Sequence, residues 1–268
     1  MLRPLPFRFS LGILVLLGVV LGAQQALSQP PHQLRVVVPA LPGDGALVMV
    51  PDGRMVLIDG SSDGAALATW LGNTLPFGQR SIDVVILTRV DAATLPGQLA
   101  ALKRYRIGLA LVPPTEHRNS SFDAWWQLLE QQHTPMHTIT AHDRLALGQC
   151  ELRVLEAHTG HASLALGCGP TTVYFLQSLD ADGEAALEVE PLPPAQLVIY
   201  PWQRATKTTL LQRLQPQALL FSEGGAMQNL SWADRQIGTT ALYHEAIHGQ
   251  LQLVHDGRQL SIQVERTR

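Results

Sequence analysis

A short apolar run that ends in polar residues is the feature that most constrains this chain. Residues 82–87 are mostly apolar and β-branched, which is typical of a strand buried on both faces of a sheet. The pair Thr88-Arg89 ends the run, and a helical pattern with Pro96 in its first turn begins at Leu95. Residues 89–94 therefore form a loop at the carboxyl end of a core strand. Ligands bind at this position in open α/β sheets, so we expect the loop to line a functional site.

The rest of the chain alternates between strand and helix patterns. Turn sequences rich in Pro, Gly and Asp separate the segments. This alternation predicts sheets covered by helices, an α/β fold. The predicted strands are residues 34–38, 46–50, 55–58, 109–112, 150–155, 163–166, 172–176, 197–200, 218–221 and 251–254, and the predicted helices are residues 65–75, 122–131 and 208–214.

The N-terminal segment, residues 1–28, has the composition of an export signal. Two arginines precede an uncharged apolar stretch at residues 11–23, and an Ala-x-Ser sequence follows. This pattern is typical of a cleaved signal peptide, while the longer apolar stretch at residues 9–27 would also serve as a membrane anchor. In both cases residues 29–268 are exported, because the positive N-terminus stays inside. We therefore expect an extracytoplasmic domain, secreted or anchored by its N-terminal segment.

Composition limits the size of the domain and the class of partner. The chain has 268 residues, of which 46% are hydrophobic, so the exported part can bury the core of one domain. Its formal net charge is −3, with 19 lysines and arginines. This charge argues against a nucleic-acid binder that works through an overall positive field.

The loop after the central strand carries a family resemblance. Thr88-Arg89-Val90-Asp91-Ala92-Ala93-Thr94 resembles the Thr-His-x-Asp-x-Asp-His signature of the metallo-β-lactamase superfamily, as it occurs in ComEC-type competence proteins. The resemblance extends over residues 33–264 through the order of strands and turns. It implies a four-layer αββα sandwich, with two mixed sheets flanked by helices. It also implies a family of hydrolases that bind two zinc or manganese ions.

Most positions of the family's metal ligands hold other residue types in this sequence. Of the four ligand positions in the signature, only Asp91 keeps its residue type; the others are Arg89, Ala93 and Thr94. A guanidinium has no acceptor lone pair and repels a divalent cation. The pattern therefore predicts a vestigial site.

Two more positions complete this vestigial site. Asp180 corresponds to the family's metal-bridging Asp, and Trp202 stands where the family has a His-His-Gly-Ser run. An indole has a donor and no acceptor, so Trp202 cannot replace an imidazole at a metal. We expect Arg89 to pair with Asp91, Asp180 or both, and Asp44 to act as a turn former.

Two histidine patterns leave alternatives open. His158 and His161 lie in a predicted turn, and we interpret them as surface residues, although with Asp91 and Asp180 they could form a relocated metal site. The sequence His244-Glu245-Ala246-Ile247-His248 matches the His-Glu-x-x-His motif of zinc proteases, which requires both histidines on one helix face. The surrounding residues are typical of strands and turns, so we expect no helix of two turns there.

The two cysteines are predicted to form a disulfide. If residues 151–156 pair antiparallel with residues 162–167 around Thr159, the numbers of paired residues sum to 318. Cys150 then lies opposite Cys168. Export would expose both thiols to an oxidising compartment.

The sequence thus predicts an exported pseudoenzyme with a binding or assembly role linked to DNA uptake. We assign it no catalytic residue, metal ligand, cofactor or small-molecule ligand. The expected partners are the membrane, if the N-terminal segment is uncleaved, and DNA or a competence-channel protein. The alternatives are an active metal-dependent phosphodiesterase or nuclease that uses Asp91, Asp180 and the relocated histidines, and an exported zinc protease.

Overall fold

The computed structural model describes residues 33–116, 119–222 and 232–266. The predicted signal peptide or anchor and the boundary at residues 28 and 29 lie outside these ranges. Within them, no helix is both long and apolar enough to cross a membrane.

Fifteen strands are present in the described ranges. In chain order they are β1 (Leu34–Val38), β2 (Ala46–Met49), β3 (Met55–Ile58), β4 (Ser81–Ile86), β5 (Arg106–Val112), β6 (Met136–Thr138), β7 (Arg144–Leu147), β8 (Cys150–His158), β9 (His161–Cys168), β10 (Thr171–Phe175), β11 (Leu197–Pro201), β12 (Ala218–Ser222), β13 (Ala241–His244), β14 (Leu251–His255) and β15 (Leu260–Val264).

Seven helices are present in the same ranges. They are α1 (Gly64–Thr74), α2 (Leu95–Leu102), α3 (Ser120–Gln131), α4 (Ala181–Glu188), α5 (Thr209–Leu214), α6 (Trp232–Arg235) and α7 (Glu245–His248). Three of them begin at capping residues: the side chains of Asp63, Asn119 and Asp180 accept backbone hydrogen bonds at the N-termini of α1, α3 and α4.

The strands form two mixed sheets. The first has the order β15-β14-β1-β2-β3-β4-β5-β6, and the second has the order β13-β12-β11-β10-β9-β8-β7. Strands β3 to β6 are parallel, as are β10 to β13, while the remaining pairs are antiparallel. The short strand β6 was not predicted, because its three residues carry too little periodicity.

Three apolar clusters define four layers. Side chains from both sheets, such as Val56, Ile86 and Leu164, pack between them in the central core. Helices α1 to α3 cover the outer face of the first sheet, where Trp125 is fully buried. Helices α4 and α5 cover the outer face of the second sheet around Tyr200. The predicted αββα arrangement, two facing mixed sheets flanked by helices, is confirmed.

A disulfide crosslinks the β8–β9 hairpin. Cys150 lies opposite Cys168, and a disulfide joins them with a Cα–Cα distance of 4.3 Å. The predicted register holds from Cys150 to Val154. A bulge between Val154 and Glu156 then shifts it by one residue, so that Glu156 lies opposite Ser163. The expected pairing around Thr159 was therefore wrong beyond Val154, because a bulge inserts one residue in one strand only.

Candidate functional site

The two sheets meet at the carboxyl end of β4. The backbone N–H of Ala162 donates to the carbonyl of Thr88 at 2.9 Å, and Arg89 and His161 form an isolated antiparallel bridge. This contact joins the loop after β4 to the β8–β9 hairpin. Residues from both sheets therefore reach the same end of the sandwich, as the position of the loop predicts.

A buried carboxylate supports this junction. Asp59 follows β3 in the left-handed region, with φ of 54°. It accepts hydrogen bonds from the backbone N–H of Thr88 at 2.7 Å, the hydroxyl of Thr88 at 2.5 Å and Nε2 of Gln177 at 2.9 Å. Complete burial raises the pKa of Asp59, although these hydrogen bonds oppose the shift. Asp59 links strand ends of both sheets. Its role was not predicted, because Asp-Gly alone indicates only a turn.

Arg89 lies between two carboxylates. Its Nη2 donates to Oδ2 of Asp44 at 3.0 Å, and its Nε is 2.5 Å from Oδ2 of Asp91. The Asp44 side chain is 1% exposed, that of Arg89 is 17% exposed and that of Asp91 is 38% exposed. Asp44 was expected to act only as a turn former. Its carboxylate instead faces a half-buried cation, and no local turn rule could identify a partner 45 residues away.

The second carboxylate oxygen of Asp91 stabilises the loop of residues 89–94. Its Oδ1 accepts from the backbone N–H groups of Ala93 at 2.8 Å and Thr94 at 3.2 Å. The hydroxyl of Thr94 donates to the carbonyl of Arg89 at 2.7 Å. Three of the predicted site residues therefore lie beside Arg89: Asp91, Ala93 and Thr94. Ala93 takes part through its backbone N–H. This arrangement directs the guanidinium towards Asp44.

Asp180 lies in a different group of residues. Of the two partners expected for Arg89, Asp91 forms the ion pair, whereas Oδ1 of Asp180 is 3.3 Å from Nε2 of His158. Asp180 also caps α4 by accepting from the backbone N–H of Gly183 at 2.8 Å. Partial burial acts to raise the pKa of Asp180. The Gly183 hydrogen bond and the nearby imidazoles of His158 and His161 outweigh this effect and lower it.

The two histidines are less exposed than a surface turn implies. They are the last residue of β8 and the first of β9, with Thr159 and Gly160 as the turn between them. Their rings are 5.4 Å apart. Nδ1 of His161 is 3.1 Å from the carbonyl of Ser178, so this nitrogen is the donor. The prediction of surface residues is corrected to half-buried ones, because β8 and β9 run further than expected.

Glu156 is a site residue that the sequence did not reveal. It is 6% exposed, and its Oε2 is 3.4 Å from Nε2 of His158. Within the described part of the chain, neither of its oxygens accepts a hydrogen bond. His158 thus lies between Glu156 and Asp180. The bulge after Val154 places Glu156 on the buried face, and no sequence signal marks such a bulge.

Trp202 belongs to an aromatic cluster. Its ring centroid is 4.9 Å from that of Phe221, 6.2 Å from that of Trp232 and 5.3 Å from that of His244. The guanidinium carbon of Arg235 lies 4.3 Å from the centroid of Trp202. Trp202 therefore has a packing role with a cation–π contact.

The His-Glu-x-x-His sequence does not form a long helix. His244 ends β13, and the helix α7 that follows has four residues, as predicted. The backbone N–H of Ala246 donates to Nδ1 of His244 at 3.1 Å, and the N–H of His244 donates to Nδ1 of His248 at 3.1 Å. These contacts cap a single helical turn. They differ from the arrangement on one helix face that a zinc protease needs.

The donor set around Arg89 does not fit the two-metal centre of the family. The two carboxylates nearest the guanidinium are engaged with it, and a guanidinium cannot ligate a metal. Across residues 33–116, 119–222 and 232–266, no three His, Cys, Asp or Glu side chains are arranged to hold a metal ion. Arg89 and Asp91 thus form an ion pair, and Trp202 makes packing contacts.

Comparison with known proteins shows the fold. No protein-family model and no curated protein matches the chain. Among solved structures, the chain is similar to the metallo-β-lactamase fold protein YhfI from Bacillus subtilis, with a TM-score of 0.55 and 15% identity over 79% of this chain and 95% of that chain.

Two further solved structures contain metals. Zn²⁺-bound PqqB from Methylobacterium extorquens has a TM-score of 0.54 and 12% identity over 78% of this chain and 86% of that one. CmlA, a diiron β-hydroxylase from Streptomyces venezuelae, has a TM-score of 0.52 and 14% identity over 82% of this chain, which spans 53% of CmlA. At these identities the likeness shows the fold alone. The chain therefore has the metallo-β-lactamase fold.

Proposed function

We propose that this chain is a non-catalytic protein with the metallo-β-lactamase fold, and that its role is binding or assembly. The observation that carries the proposal is the position of Arg89 between Asp44 and Asp91. The guanidinium supplies positive charge beside these carboxylates. A structural ion pair then takes the place of a metal centre.

The energetics of this ion pair support the proposal. A metal ion that used Asp44 would have to displace a guanidinium from a carboxylate that is 1% exposed. Separating a buried pair leaves an uncompensated charge, which costs several kcal/mol. The metal would also meet repulsion from the displaced cation. The loop hydrogen bonds from Asp91 to Ala93 and Thr94 hold the present geometry in place.

We further propose an extracytoplasmic location and a partner in DNA uptake. The disulfide between Cys150 and Cys168 supports the location, because disulfides persist mainly in oxidising compartments. The N-terminal composition supports it independently. The link to ComEC-type proteins rests on the order of strands and turns in the sequence. Because the net charge is −3, we favour a protein of the uptake channel over DNA itself as the partner.

An alkaline phosphatase fusion tests the proposed location, and a pull-down experiment tests the proposed partner. Alkaline phosphatase fused after residue 268 should be active only if the domain is exported, and the same fusion without residues 1–28 is the control. Purified full chain should retain a competence-channel protein from detergent extracts while leaving duplex DNA unbound at physiological salt. An inactive full-length fusion would refute export, and activity in the truncated fusion would show that residues 1–28 are not needed for it. Retention of DNA without the channel protein would refute the preferred partner.

One observation favours a second candidate, a metal-dependent hydrolase. His158 lies 3.3 Å from Asp180 and 3.4 Å from Glu156, so an imidazole and two carboxylates are close together, although these described residues would have to rearrange to hold a metal ion. These residue types bind zinc in other proteins.

A turnover assay separates the two candidates. Hydrolysis of bis(p-nitrophenyl) phosphate is measured for the full chain with Mn²⁺ and with Zn²⁺, beside Asp180→Ala and the matched control Asp182→Ala. Asp182 is exposed on the same helix, α4. We expect no turnover above that of the metal in buffer. Turnover that Asp180→Ala abolishes and Asp182→Ala preserves would establish the hydrolase and refute the pseudoenzyme.

A further inference from the structure

A cavity opens between the two sheets, away from the Arg89 centre. Its volume is about 310 Å³. It lies beside the edge strands β6 and β7 and shares no residue with the ion pair of Arg89, Asp44 and Asp91. Its walls are the apolar side chains of Leu109, Leu111, Ile139, Leu145, Leu152 and Val154, all of which belong to or pack against the central core.

The cavity has an apolar interior and a polar mouth. Ile139, Leu152 and Val154 are at most 3% exposed. In contrast, the side chains of His137 and Arg144, which also line the cavity, are each 61% exposed. This separation is typical of sites that enclose the apolar body of a ligand and contact its polar end.

Among the described residues that line the mouth, Arg144 carries a permanent positive charge. Asp143 is already engaged, since it accepts from the backbone N–H of Thr140 at 2.8 Å and lies 3.4 Å from Nε2 of His137. Arg144 is 3.5 Å from Glu151, whose side chain is 49% exposed. A long, solvent-exposed ion pair contributes little stability, so an acidic ligand group can replace Glu151 at small cost.

The volume sets the size of the apolar part. An apolar protein cavity of about 150 Å³ holds a benzene molecule of six carbons, so one about twice as large holds roughly ten to twelve carbons. We propose that the cavity binds an aliphatic carboxylate with about this number of carbons. Its alkyl chain would lie between the sheets, and its carboxylate would contact Arg144. This inference is independent of the proposed function, because it uses a different part of the fold.

Calorimetric titration of the full chain tests the proposal. The probes are decanoate and decanol, which have the same chain length and differ in the charge of the head group. We expect one decanoate per chain. Arg144→Gln should weaken decanoate binding about fivefold and leave decanol unchanged, since the affected contact is an exposed ion pair. The control is Arg153→Gln, because Arg153 lies opposite Arg144 on β8 and does not line the cavity.

A second variant tests whether the alkyl chain of the probe enters the cavity. Leu145→Trp fills it from the half-buried edge strand β7 and should weaken both probes at least tenfold. If this variant fails to fold, Leu109→Phe serves the same purpose. The proposal is overturned if neither probe binds, if filling the cavity leaves binding unchanged, or if Arg144→Gln and Arg153→Gln affect decanoate equally.

Discussion

Nη2 of Arg89 lies 3.0 Å from Oδ2 of Asp44, and the two residues come from loops 45 positions apart in the chain. The contact ties the loop after β4 to the loop before β2. Because the Asp44 side chain is almost fully buried, the guanidinium is a close counter-charge for its carboxylate. The pair thus joins two loops at one end of the first sheet.

The first prediction concerns removal of this cation. Arg89→Ala leaves Asp44 without the guanidinium, so we expect the free energy of unfolding to fall by about 3 kcal/mol. Urea denaturation at neutral pH measures the change. Arg80→Ala, at an exposed position before β4, is the control and should change the free energy of unfolding by less than about 0.5 kcal/mol. Equal effects of the two substitutions would show that the ion pair is not structural.

The second prediction concerns the cap of α4. Asp180→Ala removes the acceptor for the Gly183 N–H and should lower the free energy of unfolding by about 1 kcal/mol, whereas Asp180→Asn keeps an acceptor and should cost less. Since the pKa of Asp180 is lowered in the folded chain, the stabilisation from its charge is present above the unfolded value of about 3.9. It is lost as the pH falls through the folded pKa.

Denaturation of the three Asp180 proteins at pH 7 and at pH 3 measures this effect. The difference between the wild type and Asp180→Asn should shrink at pH 3. A difference that is the same at both pH values would contradict the assigned role of the charge.

The third prediction concerns buried Asp59. Burial raises its pKa, so the folded chain keeps the proton to a higher pH than the unfolded chain does. The stability from protonated Asp59 is therefore complete below about pH 3.9 and is lost as the pH rises through the raised pKa. Asp59→Asn mimics the protonated form. Its stability relative to the wild type should increase from pH 4 to pH 8, and a constant difference would refute the shift.

The fourth prediction concerns the disulfide. In the chain-entropy model, closing a loop of 18 residues stabilises the fold by about 3 kcal/mol. The double substitution Cys150→Ser and Cys168→Ser should lower the free energy of unfolding by about this amount. A reducing agent should destabilise the wild type similarly and leave the double variant unchanged. If reduction has no effect on the wild type, the disulfide does not contribute to stability.

Local patterns were sufficient to predict most of the fold. The buried strand before Thr88, the Pro-Asp-Gly turn before β3 and the helix with Pro96 in its first turn are each specified by neighbouring residues. The pairing of Cys150 with Cys168 was also predictable, because strand register follows from a known turn until a bulge intervenes.

The candidate site was harder to predict, because its contacts join distant residues. The resemblance identified Arg89 and Asp91, which are two positions apart and form the expected ion pair, but it did not identify Asp44 as a second partner of Arg89. Glu156 was missed because strand alternation does not distinguish a buried carboxylate from an exposed one. These contacts depend on how the two sheets pack at their ends.

The metal content of the purified full chain tests the central claim most directly. The protein is incubated with excess Zn²⁺ or Mn²⁺, freed of unbound metal by gel filtration and analysed for metal per chain. With a guanidinium between Asp44 and Asp91, we predict well under one equivalent of either metal, in the wild type and in Asp180→Ala alike. One or two equivalents in the wild type that disappear in Asp180→Ala would contradict the account.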